Sequence, residues 1–199
     1  TVELRGMAHA SAFDHAASRE ARYDQLDLQC PALLSDADPV ANQANFAALV
    51  HMAFGWHWVG FYRVVNGELV LGPFQGPVAC TRLYKGKGVC AEAWERNESV
   101  VVPDVEAYPG HVVCSAESRS ELVVPVRDEQ GHVHAVFDLD STVVGDFDQE
   151  DADRLQRLID AVGSRFIDNA NSRHASGVGQ GSDGGRGAVV VRMRSSGFA

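Results

Sequence analysis

The chain has no long apolar run: its longest, Leu122 to Val126, falls far short of the roughly 20 residues that a helix needs to cross a bilayer. No charged stretch followed by an apolar stretch opens it, so no signal peptide is expected. A membrane association is therefore not expected, and a soluble protein of the cytoplasm is. Positive charge is also in short supply. With 17 Lys and Arg against 27 Asp and Glu, the formal net charge is −10, which argues against binding a phosphate backbone and excludes nucleic acid as the expected partner. No Cys-x-x-Cys pair occurs among the 4 cysteines, so the usual zinc-ribbon and thioredoxin-like spacings are missing. No internal repeat is found, and 199 residues leave room for one well-packed domain with extensions rather than two domains.

What is present organises itself around turn signals. Residues 1–30 are polar and Ala-rich, an N-terminal extension with a short helix expected from Phe13 to Leu28. Asp38-Pro39 supplies an N-cap and a first-turn proline, and Phe46, Leu49, Val50 and Ala53 follow at helical spacing up to Gly55. Trp58 to Val65 is β-branched and aromatic, Asn66-Gly67 is a type I′ hairpin signal, and Glu68 to Leu71 returns as the partner strand. Val89 to Asn97 has good helix formers and places Cys90 in a first turn. Ser99 to Val102 reads as a strand and Pro103 to Ser120 as a long loop carrying Cys114; loops of that length in compact domains are often functional. Glu121 to Arg127 and His132 to Asp140 form a second hairpin, and a final helix starts at acidic Asp148 and Asp151 with the stripe Leu155, Leu158, Ile159, Val162 and Phe166. Residues 31–170 thus form the domain. Residues 171–199 are Gly- and Ser-rich with little to bury, so disorder is expected there.

Two patterns carry chemistry. In Val136-Phe-Asp-Leu-Asp140 the side chains alternate, so Asp138 and Asp140 share one sheet face, roughly 6.5 Å apart. If Asp128 to Gly131 is a four-residue turn, Arg127 opposes His132 and Glu121 falls opposite Asp138 on that same face. Three converging carboxylates raise one another's pKa and invite a cationic or protonated partner; a solvated outer face is the competing reading, and a one-residue bulge would turn Glu121 away. On the first strand Trp56, Trp58 and Tyr62 alternate onto one face with Gly60 leaving space, an aromatic wall suited to a thioether or to ordinary core packing. Cys80, Cys90 and Cys114 sit in Gly- or Pro-punctuated stretches. A helix start favours thiolate at Cys90, His111 and Arg119 neighbour Cys114, and Arg82 neighbours Cys80. These patterns alone do not choose among them.

The words Gly72-Pro-Phe-Gln-Gly-Pro-Val-Ala-Cys80-Thr-Arg82, Gly86-Lys-Gly-Val-Cys90, Pro103-Asp-Val-Glu-Ala-Tyr-Pro-Gly-His-Val-Val-Cys114-Ser-Ala-Glu-Ser-Arg-Ser-Glu121 and Phe137-Asp-Leu-Asp-Ser141 resemble the free methionine-R-sulfoxide reductases. The likeness runs from about Phe13 to Ile167. It implies an α+β fold of GAF type, an antiparallel sheet flanked by helices, with no metal or organic cofactor. Carried over by position, it implies Cys114 as the catalytic cysteine, Cys80 as the main resolving cysteine and Cys90 as an alternative redox cysteine, with Trp58, Tyr62, Glu121, Asp138 and Asp140 binding substrate. Cys30 matches none of these. The implied partners are free methionine-R-sulfoxide, thioredoxin as reductant, and a second copy of the chain in a homodimer. The chain departs from the family at Ala91, Val113, Arg119 and His134-Ala135, none of which removes a reacting group. Two rival readings accompany this one: a GAF module that senses a small ligand without catalysis, and a Cys3His zinc site made of Cys80, Cys90, His111 and Cys114.

Overall fold

The computed structural model describes residues 13–167, and the expectations for residues 1–12 and for the tail beyond 167 lie outside them. Among the described residues four helices and six strands follow in the order α1 (Arg19–Leu33), α2 (Pro39–Phe54), β1 (Trp58–Val65), β2 (Glu68–Gln75), β3 (Arg82–Leu83), α3 (Val89–Arg96), β4 (Val100–Val102), β5 (Ser120–Arg127), β6 (Val133–Ser141) and α4 (Gln149–Val162), with a 3-10 turn at Gly163–Phe166. The strands form one antiparallel sheet of order β3-β2-β1-β6-β5-β4. No described helix is long and apolar enough to cross a membrane.

Alternation along the strands separates two cores. Val59, Phe61, Leu122, Val124, Phe137 and Leu139 point to the face covered by α1, α2 and α4. Phe46 of α2 fills the middle of that face, its ring 4.9 Å from Phe137 and 5.1 Å from Phe166. The other face carries Trp58, Tyr62, Val123 and Val136 and is covered by α3 and by the loops bearing Cys80 and Cys114. The candidate site lies under this second cover.

Local signals explain most boundaries. Asp38 caps α2 by accepting from the Val40 N–H, and Gly55 ends it at φ 70°. Asn66 and Gly67 both take positive φ and join β1 to β2 with Val65 paired to Glu68, as a two-residue I′ hairpin requires. Asp148 and Asp151 form a capping box at α4.

Three expectations shift. The first helix runs over Arg19–Leu33 rather than Phe13 to Leu28, because Asp14 is held in a turn by the Ala16 and Ala17 N–H groups and Ser18 supplies the cap. It continues past residue 30 and buries Tyr23, Leu26 and Cys30 in the main core. Trp56 precedes β1 and packs on the α1/α2/α4 side, stacked on Phe54 at 4.2 Å, so it does not share the face of Trp58 and Tyr62. In the second hairpin, Arg127 pairs with Val133 and the register slips again at Val126, which pairs with Ala135. Asp128 causes the longer loop: its side chain accepts from the Gln130 and His132 N–H groups and from the His134 ring. The total displacement is two residues, so Glu121 faces Asp140 rather than Asp138 but keeps its side of the sheet.

Candidate active site

On the second face Asp140 of β6 lies between Trp58 of β1 and Glu121 of β5, while Asp138 lies between Gly60 and Val123. The three carboxylates therefore converge, and Glu121 and Asp138 are each only 6% exposed. A solvated outer face is ruled out by that burial. Above them sits the first turn of α3, where Gly88 has φ +80° and a Cβ would stand 3.1 Å from the Val112 side chain. That glycine lets the start of the Cys90 helix press against the loop that leads to Cys114.

The 103–119 loop is fastened along its length. Val105 N–H donates to the Arg119 carbonyl, Arg119 N–H to the Ser141 carbonyl, and the Tyr108 hydroxyl bonds Glu92 of α3. Near its end, Ser115 Oγ lies 3.1 Å from His57 Nε2. Cys114 is joined by a disulfide to Cys80, with Cα atoms 5.5 Å apart and a sequence separation of 34, within the usual span for such a bond. Trp58 and Tyr62 hold the other partner's loop: the indole N–H donates to the Pro77 carbonyl and the Tyr62 hydroxyl to the Cys80 carbonyl, 3.1 and 3.0 Å. Trp58 also stacks on Phe74, and Gly60 permits it, because a Cβ there would fall 2.3 Å from Phe74 Cβ.

Cys90, Cys114, Glu121, Asp138 and Asp140 line one cavity with His111, Ser115 and Ser118. Its volume, about 30 Å³, holds about two waters. Cys80, Trp58 and Tyr62 are brought against this site but do not line the cavity while the disulfide is closed. The disulfide also takes Cys80 and Cys114 out of the four-ligand zinc set, leaving Cys90 as the free thiol of this face. Cys30 lies in the other core, its thiol pushed up to about 12 by burial and by Asp27.

Burial dominates the electrostatics. It pushes the Glu121 carboxyl well above its usual range, and the Asp140 charge adds to the shift. It does the same to Asp138, helped by Asp140 and Glu121. Asp140 is also raised by burial, with Ser118, His57 and His111 opposing the shift. The Cys90 thiol rises well above its usual value through burial and the charges of Asp138 and Glu121. Low dielectric and like charge thus favour the protonated forms in this pocket. His111 Nε2 lies 3.5 Å from Glu121 Oε2.

Residues 43–165 match the GAF domain family. The GAF domain-containing protein A of Dictyostelium discoideum is 44% identical over 154 residues, 76% of this chain and 94% of that protein. The free methionine-R-sulfoxide reductase of Escherichia coli is 41% identical over 121 residues, 60% of this chain and 73% of that protein. The structure of the free methionine-R-sulfoxide reductase of Neisseria meningitidis in complex with its substrate superposes with a TM-score of 0.74 at 45% identity, covering 83% of this chain and 99% of that one. The chain belongs to the free methionine-R-sulfoxide reductase family, built on a GAF domain.

For a chain of this family, the sequence singled out the three cysteines and the three acids that the fold gathers. It did not point to His57, Ser115 or Ser118. His57 stands between two tryptophans at the entrance to β1 and Ser115 directly follows Cys114, but 58 residues separate the pair, and no local periodicity links positions so far apart.

Proposed function

We propose that this chain reduces free L-methionine-R-sulfoxide to methionine, with Cys114 as nucleophile and Cys80 as resolving thiol. The observation that carries the reading is the Cys80–Cys114 disulfide at the mouth of a buried cavity floored by Glu121, Asp138 and Asp140. In the reduced protein the Cys114 thiol attacks the sulfoxide sulfur, the oxygen passes to Cys114 as a sulfenic acid, and methionine leaves. Cys80 attacks the sulfenic sulfur, releasing water and forming the disulfide. Thioredoxin, acting in the cytoplasm, restores both thiols by exchange. Exposed Val78 and Val113, near Cys80 and Cys114 in sequence, offer apolar surface on which such a reductant can dock.

The acids divide the remaining work. A carboxyl whose pKa is raised assists proton transfer to the sulfoxide oxygen, and burial and neighbouring carboxylates raise both Glu121 and Asp138. An ionised neighbour then holds the substrate's ammonium group, which a peptide-bound methionine lacks. Trp58 and Tyr62 take the substrate's methyl and side chain once reduction frees the Cys80 loop that they hold. The small cavity beneath the closed disulfide fits this order, with reduction preceding entry. Cys90 is set apart, because burial and two carboxylates hold its thiol protonated and so make it a poor attacking group.

Methionine release from separate R and S free sulfoxides, with dithiothreitol as reductant, tests this function. R-selective turnover, lost in Cys114→Ser, is expected. Folded, reduced protein that binds either sulfoxide without turnover would make it a ligand-sensing module instead.

A further inference from the structure

We propose that Cys90, Glu121 and Asp138 form a binding site for one thiophilic divalent ion of the zinc class, separate from the redox thiols. One ligand atom of each lies within 4.8 Å of the others, and all three residues are buried. They come from different elements, the first turn of α3, β5 and β6, whose positions the sheet fixes. Three ligands in such a tripod leave one tetrahedral position open, as in zinc sites that exchange a ligand. His111 lies beside Glu121 but outside this group of three, so the open position is left to water or another ligand.

A second observation points to a ligand. Asp138 is 6% exposed and lines the cavity, yet its Oδ1 atom has no hydrogen-bond partner. A buried acceptor left so is costly unless something is bound there. Mixed sulfur and oxygen ligands favour zinc, cobalt or cadmium over calcium and magnesium, which take oxygen alone. The set differs from the one read from the sequence: the Cys80–Cys114 disulfide spends two of those thiols and leaves Cys90 intact. The ion site therefore persists in the oxidised protein. Its consequence, an ion that occupies the acids and excludes the sulfoxide, rests on the reductase reading; the binding itself does not.

Titration of the oxidised, disulfide-closed protein with cobalt(II) tests binding without any assay of activity. One cobalt per chain, with a sulfur-to-cobalt charge-transfer band in the near ultraviolet, is expected. Cys90→Ser should remove the band, and Glu121→Gln should weaken binding about tenfold or more; zinc added last should displace the cobalt. Circular dichroism establishes that each variant is folded. Should Cys90→Ser unfold, alkylation of Cys90 in the parent protein gives the second reading, with bound cobalt protecting it. No cobalt bound, a band that survives Cys90→Ser, or binding seen only after Cys80 and Cys114 are reduced would overturn the site. Zinc that binds as expected but leaves methionine release unaffected would overturn the inhibitory consequence alone.

Discussion

At the residue scale the acidic floor sets the chain's response to pH. Glu121 and Asp138 have carboxyls raised well above their usual values by burial and by neighbouring carboxylates, whereas in the unfolded chain such groups ionise near pH 4, a value of about 3.9 to 4.3. Between those limits the native state binds more protons than the unfolded state, so stability is highest below the unfolded values and falls as pH rises toward the folded ones. Asp138→Asn removes one such group. It should melt higher than the parent at pH 7.5 and no higher at pH 4, while losing sulfoxide turnover; a loss of melting temperature larger at pH 7.5 than at pH 4 would mean that the carboxylate is stabilised as an anion. Tyr62→Phe removes the hydrogen bond to the Cys80 carbonyl, a contact worth about 1 kcal/mol. Disulfide closure after turnover should slow in that variant, with the methionine-release step kept, as rapid-quench mapping would reveal. The sequence made Asp138 and Asp140 legible as a pair because strand alternation has period 2. The state of Cys90 was hidden, since a helix start argues for a thiolate and only the fold shows the carboxylates packed beneath it.

At the element scale the two hairpins differ in how plainly they can be read. Asn66-Gly67 dictates its own geometry, so β1 and β2 pair as expected at Val65 and Glu68. The Asp128 turn does not, because its length depends on a side chain that folds back over it. Burial opposes ionisation of Asp128, but the His134 ring and the His132 backbone and ring outweigh it and bring the carboxyl down to about 2. Asp128→Ala should destabilise by about 1 kcal/mol, read as a lower urea midpoint at constant slope. The difference should be present above pH 4 and fade as pH falls toward 2, where the carboxylate takes up its proton. Helix α1 was misplaced by sequence reading because Asp14 and Ser18 are both acceptable caps, and the choice is made at a distance: Arg19 pairs with Asp146 and Asp151, and Tyr23 donates to Asp151.

At the scale of the whole molecule, one sheet separates support from chemistry. The face under α1, α2 and α4 is apolar and aromatic, and Phe46→Ala at its centre should cost about 3 to 5 kcal/mol by chemical denaturation while leaving the cysteines of the other face paired. The opposite face places its acids under α3 and two loops. That division was legible because Phe137 and Leu139 alternate with Asp138 and Asp140; the meeting of Cys80 with Cys114 across 34 residues of chain follows no repeating pattern and was expected only through the family resemblance. The most direct measurement is a single turnover: fully reduced protein is mixed with free methionine-R-sulfoxide and no reductant, and released methionine and new disulfides are counted together. The account predicts one methionine per chain with a Cys80–Cys114 bridge, and in Cys80→Ser one methionine with a sulfenic acid trapped on Cys114. Methionine released with Cys114 still a free thiol, or a bridge between Cys80 and Cys90 in its place, would contradict it.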